Sequence, residues 1–172
     1  MPCAARLVRY SRNMLNDALT TVSWRARPRS FVALMSLYES NYVRFGWLAG
    51  DVTQLSGAYR SAVAGDCDLL LTVATRSPYT TTLTLTYLLR EDPVERAYPD
   101  MSVRLYHDAR LAEAQEWAAA SAATAQPAAL RSLRSRMERE LDQRWARNVM
   151  LNKWLEYCVE RGHRFSPATR IR

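Results

Sequence analysis

The sequence predicts an α+β fold, with an antiparallel sheet of about four strands and an N-terminal helix and C-terminal helices packed on one face. Apolar residues recur in steps of three and four between residues 31 and 48 and again toward the C-terminus, which is typical of amphipathic helices. Between these regions, threonine alternates with apolar residues from Thr80 to Leu89, which is typical of a strand with one buried face. The 172 residues can bury such a core without metals or disulfides.

The first helix is predicted to begin after Ser30, which is a suitable N-cap. The apolar positions that follow form one helical stripe: Phe31, Leu34, Met35, Tyr38, Tyr42, Phe45 and Leu48. Gly46 and Gly50, followed by Asp51, mark the end of this helix. Residues 1–29 precede the domain as a basic N-terminal extension, because Pro28 interrupts the helical pattern there.

Four strands are predicted after Gly57, over residues 58–64, 67–75, 80–89 and 101–107. The segment from Arg76 to Tyr79 contains Pro78 and forms a tight turn between the second and third strands. Residues 90–100 form a charged loop before the fourth strand. Connections this short favour an antiparallel meander with a polar face that carries the threonine row.

Helical patterning returns after Tyr106, where Asp108 is predicted to cap a segment that contains Leu111 and Trp117. Residues 118–128 form an Ala-rich connector. A long helix over residues 130–161 then ends at Gly162, which is a suitable C-cap. These boundaries predict a single domain over residues 30–163 and a basic tail at residues 164–172.

The net charge of +7 is distributed unevenly. Residues 1–30 sum to +5, residues 31–128 to −4 and residues 129–172 to +6. Basic ends of this kind predict nucleic acid or another polyanion as a partner. A competing interpretation is compositional bias at solvated positions, since 23 of the 24 basic residues are arginine.

The three cysteines are far apart and form no C-x-x-C pair, which favours a reduced, cytoplasmic chain. No apolar stretch reaches the roughly 18 residues that a transmembrane helix needs. Residues 1–29 also lack the continuous apolar core of a secretory signal.

No known phosphate-binding, zinc-protease or hydrolase motif is present, so we predict no cofactor, no metal site and no catalytic residue. His107 and Asp108 are adjacent, but neighbours on a strand point to opposite faces, and Asp108 is accounted for as a helix cap. Cys158 and His163 have no second pair at metal-ligand spacing. Because Cys158 lies on the apolar stripe of the last helix, we expect it to be buried.

A collective polar site is a better candidate for binding. If the strands pair as a meander, one face combines Arg104, Tyr106, Asp108, Arg76, Tyr79, Thr80, Thr82 and Thr84. Arginine presents a fixed fork of donors to phosphate or carboxylate, and hydroxyl groups complete the contacts of such an anion. The alternative is an ordinary solvated sheet face stabilised by cross-strand pairs.

Four segments carry a family resemblance: residues 38–45 (YESNYVRF), 77–85 (SPYTTTLTL), 101–113 (MSVRLYHDARLAE) and 152–162 (NKWLEYCVERG). Over residues 30–163 the chain resembles the YqiB-like family of proteobacterial proteins of unknown function. It departs from that family at residues 143–146 and in the Ala-rich connector. The resemblance implies no established activity. The residues that fit its motifs are candidates for ligand binding: Arg104, Tyr106, His107, Asp108, Tyr79, Thr80, Thr81, Glu39 and Asn41.

We therefore predict a non-enzymatic binding or regulatory module that uses an Arg/Tyr/Thr polar site for an anionic small molecule or protein partner. One alternative is a nucleic-acid-binding protein that uses its basic termini. A second is a nucleotide-processing hydrolase that uses His107, Asp108 and Glu39. The missing nucleophile or metal constellation disfavours this last alternative.

Overall fold

The computed structural model describes residues 28–91, 94–117 and 133–171 of the chain. Most of the predicted N-terminal extension and the whole Ala-rich connector lie outside these residues. The main elements are α1 (Phe31–Ala49), β1 (Ala58–Ser61), β2 (Asp68–Arg76), β3 (Thr80–Glu91), β4 (Val94–Tyr106), β5 (Leu111–Trp117), α2 (Leu133–Glu160) and β6 (Arg170–Ile171). The strands form one sheet in the order β5-β4-β3-β2-β1-β6, with antiparallel pairing throughout. The predicted α+β class is confirmed.

Helix α1 begins and ends where local chemistry places its caps. The Ser30 Oγ accepts a hydrogen bond from the Ala33 N–H at 3.1 Å. Gly50 has a φ of +66°, a conformation that costs glycine little, and its N–H donates to the Gly46 carbonyl at 2.8 Å. The predicted helix is therefore confirmed, although Gly46 lies within it.

The predicted alternation in β3 is also confirmed. Leu83 and Leu85 are fully buried, whereas Thr82 and Thr84 are half-buried on the opposite face. Both helices pack on the leucine face, where Phe45 of α1 and Leu155 of α2 join the same core cluster. At the β5 edge of the sheet, the helices reach the threonine face: Glu113, which pairs with Arg104 in the register, contacts Tyr38 of α1 and Arg144 of α2.

The prediction of about four strands is wrong, because the sheet formed by the described residues has six. Asp108 does not cap a helix: residues 107–110 form a turn in which Arg110 has a φ of +54°, and strand β5 follows. Ala112 and Ala114 of β5 are fully buried while Leu111 and Glu113 are half-buried. This alternation is hard to recognise in the sequence because alanine, leucine and glutamate favour helices.

Two other segments also differ from the prediction. The charged loop predicted at residues 90–100 is mostly strand, since β3 continues to Glu91 and β4 begins at Val94. Residues 164–171 contribute Phe165 to the core and β6 to the sheet, where β6 pairs with β1. Within the described residues there is one helix after the sheet, α2, rather than several.

The end of α2 agrees with the prediction. Gly162 follows the helix with a φ of +93°, and the His163 N–H donates to the Cys158 carbonyl at 3.0 Å, as in a Schellman motif. Cys158 is a free, fully buried thiol, as its place on the apolar stripe predicts. Burial raises the pKa of this thiol to about 12.

Three buried asparagines join α1 and α2 to the free edge of β5. The Asn148 Oδ1 accepts hydrogen bonds from the Ala114 N–H at 2.8 Å and from the Asn41 Nδ2 at 3.2 Å. Asn41 Nδ2 also lies 3.3 Å from the Ala112 carbonyl, and Asn152 Nδ2 donates to Asn41 Oδ1 at 2.9 Å. Asn41 and Asn148 therefore satisfy backbone groups of β5 that point away from β4 and have no strand partner among the described residues.

We expect Asn148→Ala to lower the free energy of unfolding by at least about 2 kcal/mol, because it leaves the buried Ala114 N–H without its acceptor and removes one of the acceptors of the Asn41 amide. Gln143→Ala, at an exposed position of the same helix, is the matched control and should change stability by less than about 0.5 kcal/mol. Urea unfolding measures both. Equal stabilities for the two variants would contradict a stabilising role for this network.

Candidate functional site

A groove lies between the first half of α1, the β4–β5 turn and the first half of α2. Its volume is about 660 Å³. The apolar residues that line it are Phe31, Leu34, Met35, Ala109, Leu111 and Leu141. The polar residues that line it are Tyr38, Tyr106, Asp108, Glu113, Glu140 and Arg144. We refer to this feature as the groove.

Helical spacing explains how α1 forms one wall of the groove. Phe31, Leu34, Met35 and Tyr38 follow each other in steps of three, one and three residues, so they share one side of the helix. Glu140, Leu141 and Arg144 form the facing wall on α2 by the same rule. These segments precede Asn41 and Asn148, where the two helices come together.

Glu113 forms the polar end of the groove. Its side chain is 12% exposed. One carboxylate oxygen accepts from the Tyr38 hydroxyl at 2.9 Å and lies 3.4 Å from an Arg144 guanidinium nitrogen, while the other oxygen accepts from the Tyr106 hydroxyl at 3.2 Å. A buried carboxylate needs partners of this kind, since desolvation disfavours its charge.

Burial and the neighbouring Glu113 carboxylate raise the pKa of Tyr38 well above its ordinary value. The Tyr38 hydroxyl therefore remains a hydrogen-bond donor at physiological pH. Arg144 also binds Glu140 one helical turn earlier, at 2.8 Å, and so connects the buried carboxylate to an exposed one. This arrangement holds the polar end of the groove in one geometry.

The threonine face of the sheet adjoins the groove at Tyr106. In the register of β3 and β4, Arg104 lies opposite Thr82, and Tyr106 lies opposite Thr80. Arg104 and Tyr106 are half-buried, while Val103 and Leu105 between them are fully buried on the other face. The Arg104 Nε is 3.5 Å from the Thr82 Oγ1. Among the described residues, no carboxylate lies within 4 Å of the Arg104 guanidinium.

His107 and Thr81 lie on the other side of the sheet from this face. Thr81 is 1% exposed, and its hydroxyl is 2.8 Å from the His107 Nε2. Arg76 pairs with Thr81 in the register, so it shares the side of Thr81 rather than that of Thr80. Burial and then the positive charge of Arg76 lower the pKa of His107, against smaller opposing effects of Asp51 and Asp108.

The remaining predicted residues are placed separately. Tyr79 is 67% exposed in the β2–β3 turn, and Asp108 is exposed at the rim of the groove. Glu39 is exposed on α1, and Asn41 belongs to the buried asparagine network. The predicted residues therefore do not form one surface: Tyr106 and Asp108 line the groove, while Arg104 and Thr80 lie on the sheet face beside it.

Tyr38, Glu113 and Arg144 are site residues that the sequence reasoning did not select. The sequence pattern places Tyr38 on an apolar helix stripe and Glu113 in a helical segment rather than a strand. One signal was available: Tyr38 is the first residue of YESNYVRF, Glu113 is the last residue of MSVRLYHDARLAE, and the two side chains are hydrogen-bonded. Nothing in the neighbouring sequence marks Arg144 as a site residue, because it lies in an ordinary amphipathic helix.

A family model described as "Protein of unknown function (DUF1249)" matches residues 44–164. No curated protein and no solved structure shows a match. The matched region includes Tyr106, Glu113 and Arg144 and ends next to His163. In the described part of the chain, no helix is both long and apolar enough to cross a membrane, and no three His, Cys, Asp or Glu side chains form a group that could hold a metal ion.

His163 lies in a second buried polar cluster, which the sequence reasoning also missed. Its Nδ1 is 3.1 Å from the Ser61 Oγ, and its Nε2 is 3.5 Å from a carboxylate oxygen of Asp66. The same Asp66 oxygen accepts from the Arg161 Nε at 3.0 Å. All atoms of His163 are buried, and the Ser61 Oγ also accepts the Arg164 N–H. This Ser-His-Asp grouping therefore fastens the end of α2 to β1 and is not presented to a substrate.

Burial lowers the pKa of His163, with partial compensation by Asp66. The unfolded chain then binds the proton more readily, so we expect stability to be complete above the ordinary histidine pKa of about 6.5 and to fall as the pH drops below it. In His163→Asn, the free energy of unfolding should fall less steeply as the pH drops. One titrating group changes it by at most about 1.4 kcal/mol per pH unit. The measurement is urea unfolding between pH 5 and 8.

His107→Asn is the control for this experiment, because the chain has two histidines and only His163 is fully buried. The pH slope should change less in this variant than in His163→Asn. An unchanged slope in His163→Asn would contradict the assignment.

Proposed function

The chain belongs to DUF1249, a family of proteins of unknown function, and from this premise we propose that this member is a non-enzymatic binding module whose ligand occupies the groove. The observation that carries the proposal is a groove with a mostly apolar lining and one largely buried carboxylate, Glu113, whose two oxygens both accept hydrogen bonds. A volume of about 660 Å³ is in the range of small-molecule sites. The apolar walls supply affinity, and the polar end limits which ligands fit.

The hydrogen bonding of the polar groups in the groove favours binding over catalysis. Glu113 is held by Tyr38, Tyr106 and Arg144, so its oxygens already accept hydrogen bonds. Tyr38 holds its proton tightly because its pKa is raised. The Tyr38 hydroxyl is therefore not poised to give its proton to a substrate near neutral pH. His107 and Glu39, the residues of the hydrolase alternative, are not among the residues that line the groove.

A second candidate function is the binding of an anionic group at the Arg104 side of the sheet. It is supported by the guanidinium that has no carboxylate partner among the described residues and by the hydroxyls of Thr80, Thr82 and Tyr106 beside it. Charge-assisted hydrogen bonds from arginine suit phosphate and carboxylate groups. This is the Arg/Tyr/Thr site for an anionic ligand or partner that the sequence suggested.

Other parts of the sequence interpretation remain proposals. The specific likeness to YqiB-like proteobacterial proteins and a cytoplasmic location are among them, but the expectation of a fully reduced chain is wrong, because Cys67 is disulfide-bonded. Nucleic-acid binding by the basic termini involves residues 1–27, which lie outside the described residues, and the basic C-terminal region. At the other end of the chain, the Arg164 guanidinium donates to the carbonyls of Val159 and His163.

We expect Phe31→Ala to weaken binding of a neutral apolar probe, 1-octanol, by about threefold to tenfold, because it removes part of the groove wall. Phe31 is 68% exposed, so this change should leave the fold intact. Val43→Ala, at a 51% exposed position on the same helix outside the groove, should leave binding unchanged. Chemical shifts in ¹H–¹⁵N NMR titrations give the dissociation constants. Equal affinities in both variants would contradict a site in the groove.

For the second candidate, we expect Arg104→Ala to weaken binding of inorganic phosphate by about fivefold to 150-fold, which corresponds to a loss of roughly 1 to 3 kcal/mol. Arg139→Ala makes the same charge change at an exposed position of α2 and should have little effect. NMR titration measures binding, and urea unfolding measures stability. If Arg104→Ala unfolds the protein, or if both variants lose the same affinity, Arg104 is not the anion site.

A further inference from the structure

The charges that line the groove are unbalanced. Three carboxylates, from Asp108, Glu113 and Glu140, face one guanidinium, from Arg144, so the lining has a net charge of −2. The nearby pair of Arg29 and Asp142 is neutral as a whole and does not alter this difference. The groove therefore attracts cations more than anions.

The one positive charge among the described lining residues, on Arg144, is already paired with carboxylates of the protein. Arg144 lies 2.8 Å from a Glu140 oxygen and 3.4 Å from a Glu113 oxygen. A ligand carboxylate or phosphate would have to compete with two protein carboxylates for this guanidinium. It would also approach them closely, and like charges at short range repel.

Asp108 is the lining carboxylate that has no ion-pair partner among the described residues. It is exposed in the β4–β5 turn, beside Ala109 of the apolar lining. The deeper residues Leu34 and Tyr38 are 3% and 4% exposed. A ligand that fills the apolar interior would therefore bring its outer end close to an unpaired negative charge.

We propose that the groove binds molecules with an apolar body and a protonated amine, with the apolar body on the Leu34 and Leu111 side and the ammonium group against Asp108 at the rim. This inference rests on the proposed function, since it names the ligand class of the same groove. Each methylene that leaves water contributes a factor of about four in affinity, so the apolar body supplies most of the binding. The ammonium group supplies the selectivity.

The test compares three probes that share an eight-carbon chain and differ in the head group: octylamine, which is protonated at pH 7, neutral 1-octanol and anionic octanoate. Each is titrated into the full-length protein and followed by ¹H–¹⁵N NMR, with the shifts of groove residues used to fit the dissociation constant. We expect octylamine to bind about twofold to fivefold more tightly than octanol, as for a partly exposed charge pair, and octanoate to bind least tightly. Added salt should reduce the preference.

Substitution of Asp108 tests which charge is responsible. Asp108→Asn should abolish the preference for octylamine while leaving octanol affinity unchanged, and Asp108→Glu should retain the preference. Asp100→Asn makes the same charge change at an exposed position of β4 that does not line the groove, and it should retain the preference too.

The possible failures are distinguishable. If octanol binds in the groove and octylamine binds no better, or if the preference survives Asp108→Asn, the ligand class is wrong while the groove remains a binding site. If none of the three probes shifts the groove residues, the proposed function fails together with the inference.

Discussion

The free edge of β5 is the constraint on which the rest of this structure depends. An edge strand presents backbone donors and acceptors that must be paired, covered or solvated. Here Asn41 from α1 and Asn148 from α2 bind the Ala112 carbonyl and the Ala114 N–H, and they also bind each other. Asparagine suits this position because its side-chain amide carries both a donor and an acceptor, as a peptide group does. Two helices thus complete the hydrogen bonding that a seventh strand would otherwise supply.

This contact also fixes where the groove lies. Arg29 pairs with Asp142, Asn41 with Asn148 and Arg44 with Glu156, so the contacts run in the same order along both helices and the helices are parallel. On the N-terminal side of the asparagines, Trp145 of α2 belongs to the same apolar cluster as Leu34 and Leu37 of α1, and Glu113 of β5 is hydrogen-bonded to both helices. The space left between them is the groove.

The sequence predicts those features that depend on neighbouring residues. The Ser30 cap, the alternation of Thr82 and Leu83 and the Gly162 cap follow from local patterns, and all three are confirmed. Strand β5 could not be recognised, because its buried positions are alanines and its composition favours a helix. In this strand, backbone pairing with β4 outweighs the helix propensity of the individual residues.

The site was predictable only in part for the same reason. Tyr106 and Asp108 stand out because they lie in one conspicuous segment, but most other residues that line the groove come from distant parts of the chain. Glu113 is 75 residues from Tyr38 and 31 from Arg144, and no local pattern shows that these side chains meet. Because Tyr38, Glu113 and Arg144 bind one another, the geometry of the polar end of the groove can vary little from one bound molecule to another. Discrimination between ligands must then fall to the rim, where the side chains are exposed and where Asp108 is free to respond to charge.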